Sequence, residues 1–116
     1  MPTNRPVRYN IYMKPTRDEI LAVLRSLKSQ LREEGIEAIA LFGSYATERA
    51  NLYSDIDIAL KKRADFIELH GPYGYFDLSE RLKEELMRRF GRNVDIFDLD
   101  APSPIKPYIE KELIYV

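Results

Sequence analysis

The spacing of apolar positions changes along this chain, and each change marks an element. Thr16-Arg17-Asp18-Glu19 has the form of a capping box, with Thr16 as N-cap and Glu19 three residues on. Ile20, Leu24, Leu27 and Leu31 then recur at helical spacing down to Glu34, and Gly35 stands where such a helix ends. From Ile36 to Phe42 the residues turn mostly apolar, which predicts a buried strand. From Ser54 to Leu60 the period falls to two, with Ile56, Ile58 and Leu60 alternating with Asp55 and Asp57. Between these strands, Tyr45 to Arg49 is long enough for a short helix. Phe66 to Phe76 is dense in glycine and proline and reads as a loop. Asp77 and Glu80 suggest a second capped helix, whose Leu78, Leu82, Leu86 and Phe90 lie on one face before Gly91 stops it. Val94 to Leu99 predicts a third strand, with Val94 and Ile96 on one face and Asp95 and Phe97 on the other. Ser103-Pro104 opens a last short helix, and Ile109, Leu113 and Val116 can close the core.

These elements predict an α/β fold: a small mixed sheet with helices packed mainly on one side. Met1 to Pro15 is polar, with three prolines, and reads as an N-terminal arm whose Tyr9 and Tyr12 pack on the surface. Residues 16–116 are expected to form a single domain, as suits 116 residues of which 45% are hydrophobic. The formal net charge is −1, so no basic surface for a nucleic-acid backbone is expected. The chain has no cysteine, which excludes disulfides, thiolate chemistry and zinc–thiolate sites. No apolar run reaches membrane-spanning length and no signal peptide is visible, so a cytoplasmic location is expected.

Candidate chemistry sits between Leu41 and Leu60. Gly43-Ser44 falls at the end of the first strand, and ten residues separate it from Asp55-Ile56-Asp57. A glycine there lets the backbone approach a phosphate with no Cβ in the way. The N-terminus of a following short helix would point N–H groups at the same spot. On a strand, Asp55 and Asp57 share a face. Two carboxylates side by side repel unless solvent or a cation compensates them, and two hard oxygen ligands suit Mg²⁺ whose shell substrate phosphates complete. Lys61, Lys62 and Arg63 read as a soluble strand end. His70, the single histidine, reads as a polar loop residue, and Tyr73, Tyr75 and Phe76 as core or interface candidates.

Gly43-Ser44, ten residues and then Asp55-Ile56-Asp57 resembles the signature of the polymerase-β-type nucleotidyltransferase superfamily. The small size and the Asn93-Val94-Asp95-Ile96 stretch make the chain similar to the minimal nucleotidyltransferase (MNT) branch, commonly the antitoxin half of HEPN/MNT toxin–antitoxin pairs. The resemblance spans Ile36 to Leu99 and implies a site. Asp55, Asp57 and Asp95 would be metal-binding and catalytic, and Gly43 and Ser44 would grip the β- and γ-phosphates. Two Mg²⁺ ions, about 3.5–4 Å apart as two-metal sites generally are, would serve transfer of AMP from ATP, releasing pyrophosphate. The implied acceptor is a tyrosine hydroxyl of a HEPN-type toxin.

The chain departs from the family pattern at one position. Gly-Ser-x-Ala-Arg-Gly and Gly-Ser-x-Ala-Thr-Gly are the commoner continuations; Ala46 and Thr47 match, but Glu48 replaces the glycine. A glutamate beside a triphosphate adds repulsion, which Arg49 could offset. Other readings are a non-catalytic module that neutralises a toxin by covering it and a small-molecule nucleotidyltransferase. The latter carries a second, acceptor-binding domain. A DxD glycosyltransferase needs a much longer nucleotide-binding domain.

Overall fold

The structure, a computed structural model, describes residues 13–116, so the proposed packing of Tyr9 and Tyr12 lies outside the described residues. Helix α1 spans Arg17–Glu33 and begins with the expected reciprocal cap: the Glu19 N–H donates to the Thr16 hydroxyl at 3.1 Å, and the Thr16 N–H donates to the Glu19 carboxylate at 3.1 Å. Strand β1 (Ile36–Phe42), helix α2 (Gly43–Ala46) and strand β2 (Ile56–Lys62) follow. Then come helices α3 (Phe66–His70) and α4 (Gly74–Phe90), strand β3 (Val94–Asp98), helix α5 (Lys106–Glu110) and strand β4 (Ile114–Tyr115). The sheet order is β3-β2-β1-β4. β1 runs antiparallel to β2 and β4, and β2 runs parallel to β3, so the sheet is mixed.

The two faces of the sheet have different fates. Ile39 and Leu41 of β1, Ile56, Ile58 and Leu60 of β2 and Val94 of β3 are buried against Ile20, Leu24 and Leu31 of α1 and Leu78, Leu82, Leu86 and Phe90 of α4. This is the main core, and the two long helices, α1 and α4, lie on that side. Among the described residues the opposite face holds a smaller cluster, in which Phe42, Phe97 and Leu113 pack on Ala40, Ala59 and Leu99. Period-two alternation puts Asp57 and Asp95 on this thinly covered face. Ile109 is buried, and Leu113 and Val116 pack on the two clusters.

Several boundaries differ from the sequence expectation. β2 starts at Ile56, so Asp55 precedes the strand instead of lying in it. The expected Tyr45–Arg49 helix is a single turn beginning at Gly43. The expected Phe66–Phe76 loop is largely helical: Phe66 is 1% exposed and anchors α3, and only Gly71 to Tyr73 separate it from α4. α4 starts at Gly74, three residues before the acidic cap expected at Asp77, and has no side-chain cap bond. Packing sets that start: a Cβ on Gly74 would lie 2.3 Å from the Cβ of His70. His70 itself belongs to α3, stacks on Phe66 and bonds the Glu34 carbonyl, so its role is structural. The last helix begins at Lys106, with Pro107 rather than Pro104 in its first turn; the Ser103 hydroxyl accepts from the Ile105 N–H at 3.3 Å. β4 is two residues long, too short for a periodic pattern to mark it.

The basic run after β2 is tied into ion pairs. Lys61 reaches Asp100 at 3.1 Å, Lys62 reaches Asp98 at 2.6 Å and Arg63 reaches Asp65 at 2.8 Å. Asp98 and Asp100 thus serve the far end of the sheet. Burial pushes the Tyr75 phenol well above its usual range, and the Lys62 ammonium lies 4.1 Å from the centre of its ring. Among the described residues no helix is long and apolar enough to cross a membrane.

Candidate active site

The strand register brings the predicted carboxylates together. Asp57 is the second residue of β2, Asp95 the second of β3, and the two are direct partners across the parallel pair. Partners in register lie on one face, so both carboxylates belong to the thinly covered side. Asp55 is exposed at the mouth of β2. A tight turn delivers it: the Asn51 N–H donates to the Ser54 hydroxyl at 2.8 Å, and the Asn51 side-chain carbonyl accepts from the Tyr53 N–H at 2.8 Å.

Asp57 carries the electrostatic signature of the cluster. Its pKa is pushed up to about 6, first by burial and then by the negative charges of Asp95, Asp55 and Glu112. An uncompensated carboxylate cluster of this kind is relieved by a cation. Among the described residues no three acidic, histidine or cysteine side chains form a ready-made metal cage. The donor set nevertheless fits Mg²⁺, a hard ion that takes one or two carboxylates and leaves its other positions to water and substrate phosphates.

Gly43 closes on this cluster from β1. Phe42 and Asp57 are paired across the antiparallel ladder, so the residue after Phe42 turns beside Asp57. Gly43 has φ +77°, and a Cβ there would lie 2.2 Å from Asp57 Oδ2. Both the left-handed backbone and the close approach require glycine. The turn is held by hydrogen bonds to its own carbonyls: the Thr47 N–H and hydroxyl both donate to the Gly43 carbonyl at 3.1 Å, and the Arg49 N–H donates to the Ser44 carbonyl at 2.8 Å. Tyr45 is 3% exposed and accepts from the Arg92 guanidinium at 2.7 Å. This side chain, the variable position of the motif, pins the turn to the core.

Glu48 occupies the position where the family pattern has glycine, and its φ is 58°. The backbone keeps the left-handed conformation that glycine would supply. Its carboxylate pairs with Arg17 at 3.5 Å, so α1 and not Arg49 offsets the charge. Arg49 turns elsewhere, donating to the Thr47 hydroxyl at 3.1 Å and to Glu112 at 3.4 Å. Glu112 is a site residue that local sequence patterns do not reveal. It lies just before β4, and only the pairing of Ile114 with Leu41 carries it to the Gly43 end of the sheet.

The mixed sheet and its site place the molecule in the nucleotidyltransferase class. The chain belongs to the family described as Polymerase beta, Nucleotidyltransferase, whose profile matches residues 25–116. A relative from Methanocaldococcus jannaschii named as a protein adenylyltransferase is 38% identical over 104 residues, covering 87% of this chain and 98% of its own. Protein adenylyltransferase MntA of Thermococcus cleftensis is 33% identical over 103 residues, covering 87% and 96%. Among solved structures, a minimal nucleotidyltransferase superposes with TM-score 0.64 at 23% identity, covering 86% of this chain and 95% of that one, a likeness of fold. A crystal structure of a toxin–antitoxin with AMP-PNP superposes with TM-score 0.55 at 26% identity, covering 78% of this chain and 69% of that one.

Proposed function

We propose that this nucleotidyltransferase moves AMP from ATP to a tyrosine hydroxyl of a partner protein, a HEPN-type toxin, and thereby acts as its antitoxin. One observation carries the reading: Gly43 abuts the Asp57 carboxylate, which faces Asp95 on the next strand, so a phosphate cradle and a carboxylate pair share one edge. The relatives named as protein adenylyltransferases match over nearly their whole length, which supports a protein acceptor. The structural neighbour crystallised as a toxin–antitoxin with AMP-PNP supports the choice of nucleotide and of partner.

The residues divide the work. Asp55, Asp57 and Asp95 would hold the Mg²⁺ ions, which when bound supply positive charge to the phosphates and lower the acceptor's pKa. Gly43 and Ser44 offer backbone and hydroxyl donors to the β- and γ-phosphates, fixing the α-phosphorus for in-line attack. The tyrosine oxygen forms a bond to the α-phosphorus, the bond from that phosphorus to the bridging oxygen breaks, and pyrophosphate leaves. Asp95, which is exposed, would take the tyrosine proton. A partner that docks on the face carrying Asp57 and Asp95 would bring its tyrosine to the carboxylates.

The reading is tested by incubating the protein with a purified HEPN-type toxin, Mg²⁺ and ATP labelled on either the α- or the γ-phosphate. Label from the α-position alone should enter the partner, and Asp95→Ala should slow its entry by ~10²-fold with less effect on ATP binding. Label from the γ-position would mean phosphorylation instead.

The exposed side chains of Ile67, Leu69, Tyr73 and Phe76 favour a second contribution, neutralisation by binding. Stoichiometric inhibition of an unmodified partner would support that reading alone.

A further inference from the structure

We propose that Arg49 receives the terminal phosphate of the bound triphosphate, and that Glu112 is its stand-in counter-ion in the nucleotide-free protein. The proposal rests on the nucleotidyltransfer reading of the same site. Arg49 is built into the phosphate turn: its N–H holds the Ser44 carbonyl at 2.8 Å and its Nε holds the Thr47 hydroxyl at 3.1 Å. Thr47 in turn bonds the Gly43 carbonyl, so the guanidinium is positioned relative to the Gly-Ser pair by two linked hydrogen bonds.

The remaining Arg49 donors face Glu112 across 63 residues of sequence, with Nη2 3.4 Å from Oε2. The Arg49 side chain is 73% exposed in that pair, so the contact is solvated and weakly held. A phosphate offers more charge and a bidentate fit to the guanidinium, and displaces a carboxylate held this way. Neighbouring cations have other work. Arg17 serves Glu48 and the Ala46 carbonyl, Arg92 serves Tyr45, and Lys14 donates to the Ala50 carbonyl. Lys61, Lys62 and Arg63 are paired at the far end of β2.

Glu112 has a matching position. β4 pairs with β1 at Leu41–Ile114 and runs antiparallel, so the residues before Ile114 extend past Phe42 toward the turn. A carboxylate there keeps the turn neutral until the triphosphate arrives, and it opposes that arrival. The two side chains therefore have opposite expected effects, which a merely structural pair would not.

The test is calorimetric titration with AMP-PNP and with ADP, both in Mg²⁺, on the parent, Arg49→Gln, Arg49→Lys and Glu112→Gln. Arg49→Gln should weaken AMP-PNP by about tenfold or more and leave ADP within about twofold. Arg49→Lys should recover part of the loss, and Glu112→Gln should tighten AMP-PNP several-fold. Unchanged AMP-PNP affinity in both Arg49 variants, or a Glu112→Gln loss as large as that of Arg49→Gln, overturns the proposal while the parent's binding keeps the nucleotidyltransfer reading. A parent that binds neither nucleotide overturns both.

Discussion

Asp57 is where the chemistry of the site meets the stability of the fold. Its pKa lies near 6 in the folded protein, against 3.8 for an ordinary aspartate, because burial and three neighbouring carboxylates oppose its charge. Between those two values the native state keeps a proton that the unfolded chain has released. The associated stabilisation is therefore complete below about pH 4 and lost as pH rises through about 6. At neutral pH the metal-free protein carries the strain of an ionised Asp57. Asp57→Asn should raise the melting temperature of the metal-free protein by a few degrees at pH 7.5 and by clearly less at pH 4.5, the gain being limited because the carboxylate is only half-buried. Circular-dichroism melts at both pH values check this; equal shifts would place the effect outside ionisation. Mg²⁺ affinity of the parent should fall on acidification through about pH 6, since the proton competes for the same oxygen.

Glu48 makes the complementary residue-scale point. Its replacement of the family's glycine is visible in the sequence, but the cost is visible only in its φ of 58°. The exposed Arg17 pair at 3.5 Å returns little. Glu48→Gly should therefore stabilise the fold by about 0.5–1 kcal/mol, the left-handed penalty relieved less the added chain entropy. Denaturant unfolding at pH 7.5 measures it, and a loss of stability would show that the ion pair matters more than the backbone. Glu112 was not legible at all. Its membership of the site depends on a two-residue strand pairing with a segment about seventy positions earlier, and no local pattern encodes that register.

At the scale of elements, regular apolar spacing is legible in the sequence and tertiary packing is not. The capping box at Thr16, the apolar stripe Leu78-Leu82-Leu86-Phe90 and the alternation through Asp57 and Asp95 each state their structure in local spacing. The α3–α4 corner does not. Gly71-Pro72 does break the chain, but burial of Phe66 and the approach of Gly74 to His70 turn the flanks into helix. That contact is tertiary, and local propensity yields to it. Gly74→Ala should therefore cost at least ~1 kcal/mol, although alanine is the better helix former, because its Cβ would fall 2.3 Å from the His70 Cβ. A variant as stable as the parent in thermal melts would mean that α3 can step aside.

For the whole molecule, the fold divides labour between the two faces of one thin sheet. Helices α1 and α4 take the apolar face and supply the core. Among the described residues the other face is thinly covered, which leaves Asp57 and Asp95 accessible while β1 and β2 hold the Gly43-Ser44 turn against Asp57. A formal net charge of −1 gives the whole molecule little long-range attraction for an anionic ligand. The most direct test of the account is the intact mass of the partner after incubation with this protein, ATP and Mg²⁺. The expected result is a gain of one AMP unit, or a small multiple, that disappears with Asp57→Asn or when Mg²⁺ is chelated. A partner whose mass stays unchanged with the parent protein, or that gains AMP equally with Asp57→Asn, would contradict it.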